Sequence, residues 1–352
     1  MVRELYRKAR RLVCETRTLC GFCRFWGAGG SKRGADLIKL QSFMVTPDQI
    51  REFIRTGTGD LSKLSYDETS ALCNKYFARL PVPIAHCDNS MFYFHQREWG
   101  GINVIYRARP MDNPDGVPFS NASALSYRPE EEWSEIDYFG RVSKPGEANF
   151  YGSFNSGTAC FEVVFKEEGF RAGDMIDVVV GVWKIEAPLN LAEIPFSEKH
   201  YDAFYKKIEF QSGIIPVETI KAGNRDLKAR LGNDLAYETL MYLAEAFANY
   251  NIISEKDYFL TNYYADRVFD KIAGFKMEGK IDGILYPSVA NIYQNKNIVL
   301  TPEAVKTKLK FIQADHYGVT HRPENGGTVS FLPLRIRRYP DKEENIIWDL
   351  TA

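Results

Sequence analysis

The chain has 352 residues, of which 45% are apolar and 26% charged, with a formal net charge of −1. This length suggests about two domains, the composition supports a packed core, and a pI near 6.6 argues against a protein built to grip nucleic acid. No run of about 18 apolar residues provides a membrane span, and no apolar segment with a cleavage site marks a secretory signal, so a cytoplasmic location is expected.

Residues 2–18 place Leu5, Leu12 and Val13 among charges, which predicts a helix, and the run Arg3, Arg7, Lys8, Arg10, Arg11 reads as its solvated face. Cys20 and Cys23 form a C-x-x-C pair. A zinc site would need Cys73, His86 and Cys87 as well, and two adjacent ligands do not easily reach one ion, so reduced thiols and no metal are expected. The glycine-rich stretch from Gly27 to Gly34 lacks the spacing of a phosphate-binding loop. Thr46-Pro47-Asp48 opens a helix, and Ser65-Tyr66-Asp67-Glu68 is a capping box before Leu72 and Tyr76. Leu80-Pro81-Val82-Pro83 breaks the pattern, which sets a boundary between there and Gly100-Gly101. The expected organisation is a mostly helical N-terminal region over residues 1–100, a second domain over 101–340 and a tail over 341–352.

Residues 102–107 read as a strand. A loop-rich stretch follows over 110–130, with a second loop from Gly140 to Gly146. A helix is predicted from Ser156 through Phe161, Val164 and Phe165, and a β-branched strand from Met175 to Trp183. Helices are expected at about 199–209, 234–251 and 256–273, a short buried strand at Ile284-Leu285-Tyr286, and two strands over 308–319 and 327–339. The alternation is not βαβ, so the expected class is α+β. No G-x-G-x-x-G follows the first strand, which leaves a Rossmann site unsupported. His316 and His321 read as surface or strand histidines.

Four segments carry the functional signal: Ile105-Tyr106-Arg107-Ala108-Arg109; Gly140-Arg141 with Phe150-Tyr151-Gly152-Ser153; Thr158-Ala159-Cys160-Phe161-Glu162; and Asp282-Gly283-Ile284-Leu285-Tyr286-Pro287-Ser288 with Asn297-Ile298-Val299-Leu300. Taken alone, Arg107 reads as an ion-pair partner, Tyr151 as core, Glu162 as a solvated helix residue and Ser288 as a turn residue. In this order over residues 102–335, the set resembles the RES family, which includes bacterial toxins that consume NAD⁺. That resemblance implies an ADP-ribosyltransferase-like, mixed and largely antiparallel sheet with inserted helices. It places Arg107, Tyr151, Glu162 and Ser288 at the catalytic positions, with Tyr106, Arg109, Arg141 and Asn297 binding substrate. The family often carries an asparagine two residues after the arginine matched by Arg141, whereas here Ser143 stands in that place.

The chemistry implied is loss of nicotinamide from NAD⁺ through an oxocarbenium-like transition state. A carboxylate, Glu162, opposes the positive charge. An arginine, Arg107, grips the diphosphate. The ring of Tyr151 stacks on cationic nicotinamide, and Ser288 hydrogen-bonds the ribose or the amide. NAD⁺ is thus substrate rather than cofactor. Water as acceptor makes the enzyme a glycohydrolase, and phosphate as co-substrate makes it a phosphorylase. A protein side chain makes it an ADP-ribosyltransferase, and a non-catalytic nucleotide- or partner-binding module is the competing class. The resemblance also implies a toxin or anti-phage setting with an antitoxin or regulatory partner. The extra residues 1–100 are expected to regulate or recruit the enzyme.

Overall fold

The computed structural model describes residues 45–56, 61–77, 80–87, 103–111, 119–164, 174–205, 217–272, 279–291, 295–322 and 328–338, with 345, 346 and 348 near the C-terminus. The expected helix over 2–18, the Gly27–Gly34 stretch and the Cys20–Cys23 pair lie outside these residues. In chain order the elements are α1 (Pro47–Thr56), α2 (Tyr66–Tyr76), β1 (Ile84–Cys87), β2 (Val104–Pro110), β3 (Phe150–Ser153), α3 (Ser156–Val164), β4 (Met175–Ile185) and β5 (Leu189–Glu193). Then come α4 (Glu198–Tyr205), α5 (Val217–Leu231), α6 (Asp234–Phe247), α7 (Phe259–Val268), β6 (Gly283–Pro287), β7 (Lys296–Leu300), α8 (Pro302–Lys308), β8 (Leu309–Arg322) and β9 (Thr328–Arg338).

Local chemistry sets several of these boundaries. The Ser65 hydroxyl accepts from the Glu68 N–H while the Glu68 carboxylate accepts from the Ser65 N–H, a reciprocal cap that starts α2. Thr46 and Gln49 exchange the equivalent pair of bonds ahead of α1. The Thr301 hydroxyl caps α8, with Pro302 in its first turn.

The strands join one nine-stranded sheet in the order β1-β5-β6-β7-β3-β2-β4-β8-β9. The β5–β6 pair is parallel and the other pairs are antiparallel. This is the mixed, largely antiparallel α+β architecture expected. Side chains alternate across the sheet, as a period of two requires. On β6, Ile284 and Tyr286 enter one apolar cluster and Leu285 enters another. On β7, Val299 joins the first cluster, and Ile298 and Leu300 join the second. Helices α1, α2, α6 and α7 supply the first cluster, while α3 covers Val104, Tyr106, Val178 and Val180 of β2 and β4. Among the described residues, no helix is long and apolar enough to cross a membrane.

Several elements escaped the sequence pattern, among them β3 and α8. Helix α5 buries Ile220, Asn224 and Leu227 on one face; the polar Asn224, whose side chain donates to the Phe196 carbonyl and to Glu198, hides the apolar stripe. Strand β1 follows two prolines and sits at the sheet edge, where a missing N–H is tolerated. Strand β5, which pairs with β1, is another.

The apolar cluster beside α7 is continuous across residue 100. Phe53, Cys73, Phe77 and Ile84 pack in it with Tyr242, Tyr263, Ile284 and Val299. Phe53 stacks on Tyr76 with ring centroids 4.4 Å apart and meets Phe77 edge-on. Because Phe77 is 1% exposed, Phe77→Ala is expected to lower unfolding free energy by about 3–5 kcal/mol. Urea denaturation of the full chain measures this loss; a drop under about 1 kcal/mol would mean that α2 contributes little to the common core.

Candidate active site

Helix α3 places Thr158 and Glu162 one turn apart on the same face. Its start is held by Asn155, whose side-chain carbonyl accepts from the Thr158 N–H at 2.9 Å and from its hydroxyl at 3.1 Å. Opposite that face lie β6, β7 and the turn between them. The Asn291 side chain donates to the Thr158 hydroxyl at 2.6 Å, and the Asn291 N–H donates to the Ser288 hydroxyl at 3.1 Å. Ser288 in turn donates to Glu162 Oε1 at 2.6 Å, and Asn297 Nδ2 donates to the same oxygen at 2.6 Å. Both bonds fall on one oxygen; among the described residues Oε2 takes none.

Residues 126 and 135 positions removed from Glu162 thus converge on its carboxylate. Asn297 stands directly across from Tyr286 in the β6–β7 register. The Tyr286 phenol is pushed well above its ordinary pKa by burial first and by the nearby Glu162 charge second, so it stays protonated.

The registered pairing of β2 with β3 is a single pair, Tyr106 with Ser153. Beside it Gly152 is obligatory in size: a Cβ there would lie 2.8 Å from both the Tyr106 carbonyl oxygen and Ile105 Cγ2. Past this pair a side chain replaces the backbone ladder. Arg107 Nη1 donates to the Tyr151 carbonyl at 2.9 Å, and its guanidinium lies 5.2 Å from the Phe150 ring centre. Its Nε is buried and, among the described residues, has no hydrogen-bond partner. Burial, together with the adjacent Arg109 charge, pushes the Arg107 guanidinium down to about 9. A cation in that state is stabilised by any anion that enters beside it.

The Tyr151 phenol oxygen accepts from the Val142 N–H at 3.0 Å and lies 2.9 Å from the Ser143 hydroxyl. Asn149 completes this knot, donating to the Val142 carbonyl at 2.8 Å and to Ser143 at 3.3 Å. Ser143, the departure from the family pattern, therefore orients the tyrosine. Burial raises the Tyr151 phenol, and its bond to Ser143 opposes the shift.

The remaining expected residues divide between cavity and scaffold. Arg109 donates to the Ala124 carbonyl at 2.7 Å. Arg141 donates to the carbonyls of Phe247 at 2.6 Å and Asn249 at 3.1 Å, closing the C-terminal end of α6 where a cation complements the helix dipole. Tyr106 is 6% exposed and packs under α3 with Ala159, Cys160 and Val164.

A cavity of about 590 Å³ joins Arg107, Arg109, Arg141, Tyr151, Glu162 and Asn297, within the roughly 300–1,000 Å³ typical of ligand sites. Phe139, Tyr258 and Tyr286 also line it; Tyr286 belongs to the segment ending at Ser288, whereas no signal in the sequence marked Phe139 or Tyr258 for the site. Tyr106 and Ser288 are not among its lining residues; Ser288 is fully buried and acts through Glu162. Four arginines, Arg107, Arg109, Arg128 and Arg141, face two carboxylates, Glu147 and Glu162, so the cavity favours anions. A wider groove of about 870 Å³ shares Glu147, Ala148 and Asn149 with it, but there Lys271, Lys280 and Lys306 are each paired with a carboxylate.

Among the described residues, no group of three His, Cys, Asp or Glu is placed to hold a metal ion. Cys73 and Cys87 are buried in different apolar clusters. His316 is buried on β8 with its ring 6.2 Å from that of Trp348, and it lines none of these cavities.

Tyr151→Phe deletes the oxygen shared by Val142 and Ser143 and is expected to cost about 1–3 kcal/mol of stability. Denaturant titration of the variant reads this directly, and no change would mean that the knot around residue 142 holds without the phenol.

The RES domain family matches residues 104–320. No curated protein matches the chain. The match spans more than half of the chain, and it contains the arginine, tyrosine, glutamate and serine positions whose side chains meet at the cavity or on its glutamate; the chain belongs to the RES domain family.

Proposed function

We propose that the chain cleaves the nicotinamide–ribose bond of NAD⁺, as a glycohydrolase or a phosphorylase. The observation that carries this reading is a carboxylate held by two donors on the wall of an otherwise arginine- and tyrosine-lined cavity. A dinucleotide presents complementary chemistry: an anionic diphosphate, ribose hydroxyls and a flat cationic ring. Arg107, whose guanidinium lacks full compensation, is the diphosphate ligand. The Tyr151 ring stacks on nicotinamide. Glu162 Oε2 accepts from a ribose hydroxyl, and its charge opposes the positive charge that develops at the anomeric carbon.

In the reaction the C–N bond to nicotinamide breaks. Its electron pair goes to the ring nitrogen, which becomes neutral. Water or inorganic phosphate then bonds to the anomeric carbon, and water loses its proton to solvent. Ser288 and Asn297 act as positioning residues that fix Glu162 Oε1 while Oε2 faces substrate. NAD⁺ depletion is toxic to the host cell, so we place the activity in a toxin or anti-phage setting, in the cytoplasm, with an antitoxin or regulatory protein as partner.

Incubating the full chain with NAD⁺, with and without phosphate, and identifying the products by chromatography and mass spectrometry tests the proposal. Release of nicotinamide with ADP-ribose marks a glycohydrolase, and ADP-ribose 1″-phosphate marks a phosphorylase. Intact NAD⁺ after prolonged incubation with folded protein would overturn both. Glu162→Gln is expected to lower kcat by about 10²–10³ while KM changes little. Arg107→Lys keeps a charge but loses the planar fork, and should raise KM by about tenfold or more. If steady-state kinetics show Glu162→Gln acting through KM alone, the glutamate binds substrate without stabilising the transition state.

A further inference from the structure

The cavity's loop is gripped by a residue that lies outside the family match. Phe139, Gly140, Arg141 and Ser143 line the cavity, and the loop carrying them is tied to α7 at two points. Asn262 donates to the Gly140 carbonyl at 2.7 Å, and Asp266 accepts from Lys144 Nζ at 2.8 Å. Asp266 is buried, with 7% of its side chain exposed, so its carboxylate needs polar partners such as Lys144. A further donor is the phenol of Tyr66, from the first turn of α2, which bonds the same Oδ2 atom as Lys144. Lys271 stands 4.0 Å from the other carboxylate oxygen and is bound to Glu147, at the end of the loop.

The Tyr66 ring makes a second set of contacts. It lies 5.5 Å from Phe139 and 5.6 Å from Phe259, which themselves meet at 4.8 Å. Lys144 Nζ sits 5.2 Å from the centre of the same ring. One side chain thus contacts a cavity-lining ring directly and, through Asp266, the lysine next to Ser143. Ser143 and Val142 in turn hold the Tyr151 phenol.

We propose that Tyr66 is a positioning residue for the NAD⁺ site, fixing the 139–147 loop through Phe139 and through the Asp266–Lys144 pair so that Tyr151 is held in place. This rests on the reading of the cavity as an NAD⁺ site. It gives part of residues 1–100 a physical role, with α2 as a wall against which the substrate loop sets.

The test compares the full-length chain with Tyr66→Phe, which keeps the ring and loses the bond to Asp266, and with Tyr66→Leu, which loses both. Lys144→Met serves as a second route to the same loop. Steady-state NAD⁺ consumption and backbone hydrogen exchange are both measured. Tyr66→Phe should raise KM about three- to tenfold, the size of one ordinary hydrogen bond's net contribution, with kcat changing less than twofold. Tyr66→Leu should raise it further. Amide exchange should quicken over 139–147 in each variant while α1 and β1 remain as protected as in the parent. Unchanged KM with unchanged exchange over the loop overturns the proposal. So does faster exchange spread evenly through α1, α2 and β1, which marks a general loss of stability. If the parent chain consumes no NAD⁺, the proposed activity fails, and the exchange measurement alone still decides whether Tyr66 holds the loop.

Discussion

A carboxylate in a cavity walled by arginines must be prevented from pairing with them, or the site collapses into a salt bridge. Here Glu162 is engaged on one oxygen by two neutral donors, the Ser288 hydroxyl and the Asn297 amide. Neutral donors orient a charge without cancelling it, which leaves the glutamate's field available to a ligand in the cavity. The arginines are kept busy elsewhere: Arg107 on the Tyr151 carbonyl, Arg109 on the Ala124 carbonyl and Arg141 on the end of α6. Glu162, Arg107 and Arg141 are thus each bonded to neutral partners, and among the described residues no ion pair joins the glutamate to these arginines.

The same constraint explains the sheet. The ladder between β2 and β3 is cut to a single pair, and Arg107 spans the place where further backbone bonds would run. Packing on either side carries the cost, since Gly152 allows the close approach at the one pair that remains, and clusters of aliphatic and aromatic side chains bury both faces. The buried, undercompensated Arg107 is locally unfavourable in the free protein, the kind of stored strain that binding sites retain for function.

Much of the scaffold was legible in the order of residues. The capping box at Ser65–Glu68, the β-branched run that became β4 and the strand read at residues 102–107, which the structure sets at 104–110, each announce themselves through local chemistry that tertiary contacts did not override. Elements with mixed local signals were not legible: α5 hides its apolar face around a buried asparagine, and β1 follows prolines that read as an interruption. The core also runs past the expected boundary near residue 100, because Phe53, Cys73 and Phe77 find their partners on α6 and α7, more than 150 residues later.

Residue order by itself determined the family and, with it, which side chains are candidates for the site, since a short spacing such as Thr158 to Glu162 sets a shared helix face regardless of surroundings. The partition of those side chains was decided by the tertiary structure. It sent Tyr106 under α3, turned Ser288 from the cavity onto Glu162, and recruited Phe139, Tyr258, Tyr286 and Ser143 to the site. The physical reason is that a hydrogen bond across 126 positions leaves no periodic trace in the chain. Local propensity sets which way a residue points within its own element, whereas the meeting of α3 with the β6–β7 turn depends on how the whole sheet packs.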